Sequence, residues 1–196
     1  MSESDRPGET QWLRRVLDVL MRYRDADVSA SLSELRDRIC PLAWDESAPK
    51  AAAFASDGDG DRFRRHPLAS VEAIGCSALL MYWPAGHATL PHDHDGLWGI
   101  EVVVDGQLDI DEFVKSEREG HLSLTHARSL RLGIGDAAMF SGSQYVHRCR
   151  NLSNIAPTLT LHIYGGALDA YTSFDRDAAG RVVAQRRITR SDRCLS

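Results

Sequence analysis

The sequence predicts a mainly β domain, a sandwich or barrel of short strands, with α-helices at its amino-terminal end. Three observations carry that expectation. From residue 74 onward, β-rich runs follow one another near 75–83, 97–104, 106–114, 121–132, 137–140, 144–150, 157–164 and 181–188, divided by Gly, Asp, Ser and Pro. No helical stretch separates them, which is the pattern of an all-β layer structure. The run from Pro157 to Tyr164 alternates strictly, with Leu159, Leu161 and Ile163 on one side and Thr158, Thr160, His162 and Tyr164 on the other. Ahead of the strands, Leu13, Val16, Leu17 and Leu20 recur at helical spacing, and Trp12 and Met21 widen the apolar stripe.

Taken in order, residues 1–8 read as a polar, disordered arm and residues 9–196 as one domain, with a helical lid over 9–55 and a β-barrel over 60–190. A second helix starts at Ser31, where Ser31-x-x-Glu34 forms a capping box. Leu32, Leu35 and Ile39 supply its buried face, and Pro41 helps to end it. The alternating aspartates of SDGDGD, residues 56–61, suggest a calcium loop. Such a loop needs Gly at its sixth position and Glu at its twelfth, where this chain has Arg62 and Leu68, so a solvated turn is the better account. Asp105-Gly106 reads as a hairpin turn between two apolar strands, and Asp177 to Gly180 as the turn of a terminal hairpin.

Composition narrows the function classes. A chain of 196 residues that is 43% hydrophobic and 26% charged has the makings of one substantial core. A formal charge of −5 gives no electrostatic reason to expect nucleic acid or an anionic membrane as partner. There is no apolar run of membrane-spanning length, and MSESDRPGET lacks the apolar core of a signal peptide, so a cytoplasmic protein is expected. Cys40, Cys76, Cys149 and Cys194 are scattered without a C-x-x-C pair, which argues for reduced thiols and against a thiolate zinc site. Cys149 follows His147 by two residues. On a strand it either borders whatever His147 faces or serves as a small buried apolar residue.

The stretch Gly86–Gln107, GHATLPHDHDGLWGIEVVVDGQ, holds the strongest chemical signal. His92 and His94 share one face of an extended strand, and neutral imidazole suits Fe, Zn, Cu and Ni. A lone His-x-His is common on surfaces. Here it lies between Gly86 and Gly106, and a third histidine, His147, follows in another β-rich segment with Asn151 after it. On the 157–164 run, a hydroxyl, an imidazole and a phenol stand on one face at a spacing that lets neighbours hydrogen-bond. That face either meets water or builds a site; His and Tyr are costly choices for mere solvent contact.

The spacing of Gly86, His92, His94, Gly135, His147 and Asn151 resembles the two cupin motifs, which describe a double-stranded β-helix, a jelly-roll barrel. More narrowly, PHDHDGLWG, YVHRCRN and LTLHIYGG are similar to the thiol dioxygenases, the group containing cysteine dioxygenase and 3-mercaptopropionate dioxygenase. The resemblance implies Fe(II) bound by His92, His94 and His147, with Zn, Ni or Mn as other candidate ions. Three neutral ligands leave the cation uncompensated, so an anionic thiolate binds favourably and positions remain for O2. It further implies that Thr160 orients His162 and that His162 holds Tyr164 toward substrate and oxygen. Arg65, in Phe63-Arg64-Arg65, matches an arginine that grips a substrate carboxylate, although both arginines also read as surface charge. Where mammalian cysteine dioxygenase has a Cys cross-linked to its Tyr, and many cupins have a Glu ligand, this chain has Gly99. Glu101 shares that face about 7 Å further along the strand, as a pocket group rather than a ligand. It could pair with Arg65 or favour a substrate amine.

These implications make an Fe(II)-dependent thiol dioxygenase, converting a small thiol and O2 to a sulfinate, the leading expectation, in a monomer or homodimer. Two alternatives keep the same histidines. One is a metalloenzyme acting on a non-thiol small molecule with Glu101 as base or fourth ligand, and the other is a metal-bound sensor without turnover. Metal binding is expected to weaken as pH falls through about 6.5, where free imidazole protonates.

Overall fold

The computed structural model describes residues 7–23, 32–55 and 62–189. The arm up to residue 6, Ser31 of the capping box, the 56–61 turn and Cys194 lie outside the described residues. Helix α1 (Pro7–Met21) begins inside the stretch expected to be disordered. Its buried stripe is Trp12, Val16 and Leu20, four residues apart on one face; Leu13 and Leu17 flank it, and Met21 is exposed rather than part of it. Helix α2 (Leu32–Ile39) buries Leu35 and Ile39 and gives way to a 3-10 turn over Cys40–Trp44 that carries Pro41 in its first turn. The Trp12 indole donates to the Leu42 carbonyl at 2.9 Å, tying the first helix to that turn.

Ten strands follow: β1 (Arg64–Ala69), β2 (Ser77–Trp83), β3 (Gly99–Asp105), β4 (Leu108–Arg118), β5 (His121–Leu132), β6 (Ala137–Phe140), β7 (Tyr145–Arg150), β8 (Thr158–Tyr164), β9 (Ala170–Arg176) and β10 (Val182–Ile188), with a single helical turn, α3 (Val71–Ile74), between the first two. One sheet has the order β1-β2-β8-β3-β6; β5-β4-β7 and β10-β9 make the facing layer. The segment 88–92 joins the latter two, because Ala88 bridges to Arg150, and His92 bridges to His147 on one side and Ser173 on the other. All named pairings are antiparallel.

The five-stranded sheet is buried on both faces. Its outer face, with Leu80, Val102, Leu161 and Ile163, packs on Trp12, Val16, Leu35 and Ile39. The helices therefore form a third layer on the wall of the β domain. Its inner face, with Leu79, Met81, Trp83, Val103 and Tyr164, meets Leu108, Ile110 and Cys149 from the facing layer. The alternation read along 157–164 is real, but its polar side points into this interior: every residue of β8 is buried.

Three expectations are corrected. Asp105-Gly106 is no hairpin, since β3 pairs with β6 and β8, and β4 with β5 and β7. The positive φ of 87° at Gly106 instead swings the chain from one sheet to the other, and a Cβ there would meet the Thr158 hydroxyl at 2.6 Å. Strand β1 falls where no strand is expected, because Arg64, Arg65, His66 and Pro67 hide it; Pro67 is tolerated at the edge of the sheet. Strand β9 lies between the expected runs 157–164 and 181–188 and is implied only by the terminal hairpin, whose turn, with the Gly180 amide bonded to the Asp177 carbonyl at 2.8 Å, is the expected one.

If α1 is held by its buried stripe, Trp12→Ala removes both an indole-sized packing element and a hydrogen bond. The expected loss is about 3–5 kcal/mol, measured by urea unfolding, with the strand signal unfolding in the same transition.

Candidate metal centre

Period-two geometry places the candidate residues. On the inner face of the large sheet, cross-strand neighbours form rungs: Phe140, Gly99 and Tyr164; then Ala138, Glu101, His162 and Leu79; then Val103, Thr160, Met81 and Arg65. Residues directly opposite across antiparallel strands share a face, so Glu101 and His162 meet side by side. His147 on β7 and His92 are bonded backbone to backbone across the facing layer, at 2.8 and 3.0 Å. That pairing brings the third histidine to the first pair.

The three imidazoles converge. Ring centroids lie 5.2 Å apart for His92 and His94, 4.6 Å for His92 and His147, and 4.7 Å for His94 and His147. One nitrogen from each lies within 4.8 Å of the others. His92 Nδ1 donates to the Leu90 carbonyl at 2.9 Å, which leaves Nε2 as the lone-pair nitrogen. At His147, Nδ1 lies 3.3 Å from the Tyr145 hydroxyl, which itself donates to Glu112 at 3.3 Å; Nδ1–H therefore donates to Tyr145, and Nε2 faces inward. His94 stacks on Phe140, with centroids 4.2 Å apart, and its Nδ1 is buried without a hydrogen-bond partner among the described residues. Burial, then the charges of neighbouring groups, hold His94 well below the ordinary imidazole range; burial does the same to His147. Neutral imidazoles with inward nitrogens are the donor set a transition metal ion requires. The trio fits such an ion.

Glu101 reaches further into this cluster than its strand position suggests. It is 2% exposed, with Oε1 at 3.3 Å from His162 Nδ1, 3.5 Å from His147 Nε2 and 3.8 Å from His94 Nε2. Burial opposes its charge, whereas a hydrogen bond from His162 favours it, as the His147 and His162 imidazoles do when they carry a proton. Cys149 does border the cavity, its Sγ 3.8 Å from Glu101 Oε2 and 3.8 Å from His147 Nδ1. Burial and then the Glu101 charge push its thiol well above the usual range, so it is a neutral donor.

Thr160, His162 and Tyr164 form a continuous chain, with Thr160 Oγ1 2.7 Å from His162 Nε2 and His162 Nδ1 3.0 Å from the Tyr164 hydroxyl. Burial and the Glu101 charge raise the Tyr164 phenol well above its ordinary value, so it keeps its proton at neutral pH. The arginines divide. Arg64 turns outward, bonding the Phe54 carbonyl and lying 4.7 Å from the Tyr82 ring centroid. Arg65 is half-buried on the inner face, and its charge lowers both His94 and Tyr164.

Four supporting residues went unrecognised in the sequence. Tyr145 carries a signal that was there to use, standing two residues before His147 on the same strand. Glu112 reaches the site only through the register that sets it opposite His147. Trp83 donates to Thr160 Oγ1 at 2.7 Å. Phe140 occupies the space over Gly99, where a Cβ would come within 2.2 Å of its ring. Asn151, noted as part of the motif, is a clamp: its Nδ2 donates to the Trp83, Pro84 and Ala156 carbonyls at 2.9–3.1 Å.

His94→Ala should lose most bound metal, read by metal analysis of purified protein. Burial also moves the pH limit: because folded His94 and His147 resist protonation, metal retention is expected to extend below the pH of about 6.5 that free imidazole suggests. In metal-free protein the unfolded chain takes up protons below that pH and the folded chain does not. Stability should therefore fall with pH below about 6.5, by up to about 1.4 kcal/mol per pH unit per histidine, as measured by urea titration at several pH values.

Comparison with known proteins agrees with the centre. The chain is 24% identical to human Cysteine dioxygenase type 1 over 131 residues, 67% of this chain and 64% of that protein, and equally similar to the proteins of Bos taurus and Pongo abelii. The match thus spans a little under two thirds of the curated relatives. Similar solved structures include a cupin superfamily protein from Desulfitobacterium hafniense (TM-score 0.38, 13% identity, 52% of this chain and 75% of that one) and KdgF from Halomonas sp. (TM-score 0.40, 20% identity, 52% and 78%). Among the described residues no helix is long and apolar enough to cross a membrane. The profile of Cysteine dioxygenase type I matches residues 41–177, well over half of the chain and including all three histidines, and the chain belongs to that family.

Proposed function

We propose that this protein is an Fe(II)-dependent dioxygenase that adds both atoms of O2 to the sulfur of a small thiol, RSH + O2 → RSO2H. The observation that supports it most is a converging trio of imidazoles, two of them buried and held neutral, beside a protonated phenol in a member of this family. Iron(II) held by His92, His94 and His147 would supply open positions for thiolate and O2 and the electrons that activate oxygen. The chain's own groups do the rest. Arg65 offers a guanidinium fork to a substrate carboxylate and sets its orientation. Tyr164 presents an O–H donor at the reacting end, and Thr160 and His162 hold that phenol in place. The packed interior around Trp83, Met81 and Val103 keeps bulk water from the polar groups.

Glu101 favours a second reading. Its carboxylate lies within 4 Å of both His94 and His147 Nε2, where it could act as base or as fourth ligand in a metalloenzyme for a dicarbonyl or enolisable acid. Stable Zn, Ni or Mn in the purified protein, with no thiol-dependent oxygen uptake, would favour that alternative.

Protein loaded with Fe(II) should consume O2 when given cysteine, 3-mercaptopropionate or related thiols, and the product should gain the mass of one O2. Silence across such a panel removes the thiol class. Arg65→Ala should raise KM for a carboxylate-bearing thiol by about tenfold with kcat little changed. Tyr164→Phe should keep the metal and lower kcat by about a hundredfold.

A further inference from the structure

The hydrogen-bond chain along β8 has a direction, and a residue outside that strand sets it. At one end, the Trp83 indole, which can only donate, gives its hydrogen to Thr160 Oγ1 at 2.7 Å. The threonine retains one hydrogen of its own. It can go to the Met81 carbonyl at 3.5 Å or to His162 Nε2 at 2.7 Å, and the shorter contact takes it. His162 Nε2 is then an acceptor.

At the other end, His162 Nδ1 faces two oxygens, the Tyr164 hydroxyl at 3.0 Å and Glu101 Oε1 at 3.3 Å. A carboxylate offers only lone pairs. If the ring hydrogen sat on Nε2, the Nδ1 lone pair would face a carboxylate lone pair, and Thr160, whose second lone pair would then receive Nε2–H, would have to turn its own hydrogen to the more distant Met81 carbonyl. Both ends favour the Nδ1–H form.

We infer that Glu101 is a positioning residue that fixes His162 as its Nδ1–H tautomer and so frees the phenolic hydrogen of Tyr164. With Nδ1–H donating, the phenol oxygen can only accept from the ring. Its own hydrogen is released from the chain and available to a group in the cavity. With the opposite tautomer that hydrogen would be spent on Nδ1. The inference deepens the thiol-oxygenation reading, since it names what makes Tyr164 a donor to the reacting groups, but the tautomer itself exists whatever the substrate.

The test is long-range 1H–15N NMR of metal-free, 15N-histidine-labelled protein, with the His162 resonances identified by their loss in His162→Asn. The expected result is hydrogen on Nδ1 and none on Nε2. Hydrogen on Nε2 in the unsubstituted protein overturns the inference, and this measurement depends on no variant at the site and on no turnover. In Glu101→Leu, which leaves Nδ1 no carboxylate to donate to, hydrogen should appear on Nε2, and kcat should fall by about tenfold with KM within about twofold. An unmoved tautomer in Glu101→Leu also overturns it. A failed oxygen-uptake panel would sink the proposed reaction and leave the tautomer result standing.

Discussion

Glu101, Thr160, His162 and Tyr164 on the inner face of the five-stranded sheet are buried, so each of their donors and acceptors needs a partner within the protein. An unmatched buried polar group costs about 1–3 kcal/mol, and a stranded charge costs more. That requirement explains why Trp83, Thr160, His162, Tyr164 and Glu101 form one connected set rather than five separate features. It also explains the outer ring, in which Tyr145 and Glu112 hold His147, and the Leu90 carbonyl holds His92. His94 differs: its Nδ1 has no hydrogen-bond partner among the described residues, and its ring stacks on Phe140.

Much of this was legible in the chain because it is local. His92 and His94, or Thr160, His162 and Tyr164, share a face through period-two geometry, which needs no knowledge of the fold. The helical stripe of Trp12, Val16 and Leu20 is equally local. What escaped depends on register between distant segments. Glu112 meets His147, and Phe140 covers Gly99, only because particular strands pair in a particular alignment. Asp105-Gly106 misled for a related reason: a positive φ permits a tight hairpin, but whether the two strands pair is decided elsewhere. The family resemblance supplied the link from His92 and His94 to His147, which spacing alone does not reveal.

The sheet itself sorts the chemistry. Adjacent arginines on β1 point to opposite sides, so Arg64 is spent on the helical layer while Arg65 faces the cavity. The same alternation assigns Leu161 to the core beneath the helices and His162 to the site. Stability and proposed function thus occupy opposite faces of one strand, and the helical layer braces the wall from which the site residues project.

The contact between Phe140 and position 99 makes those two residues interdependent. Any side chain introduced at 99 collides with the ring, and any smaller residue introduced at 140 leaves a void beside His94. Neither can be exchanged singly without a strained or hollow intermediate. The pair works as a two-key lock: a centre with a thioether or a carboxylate at 99 can be reached from this one only by turning both keys together.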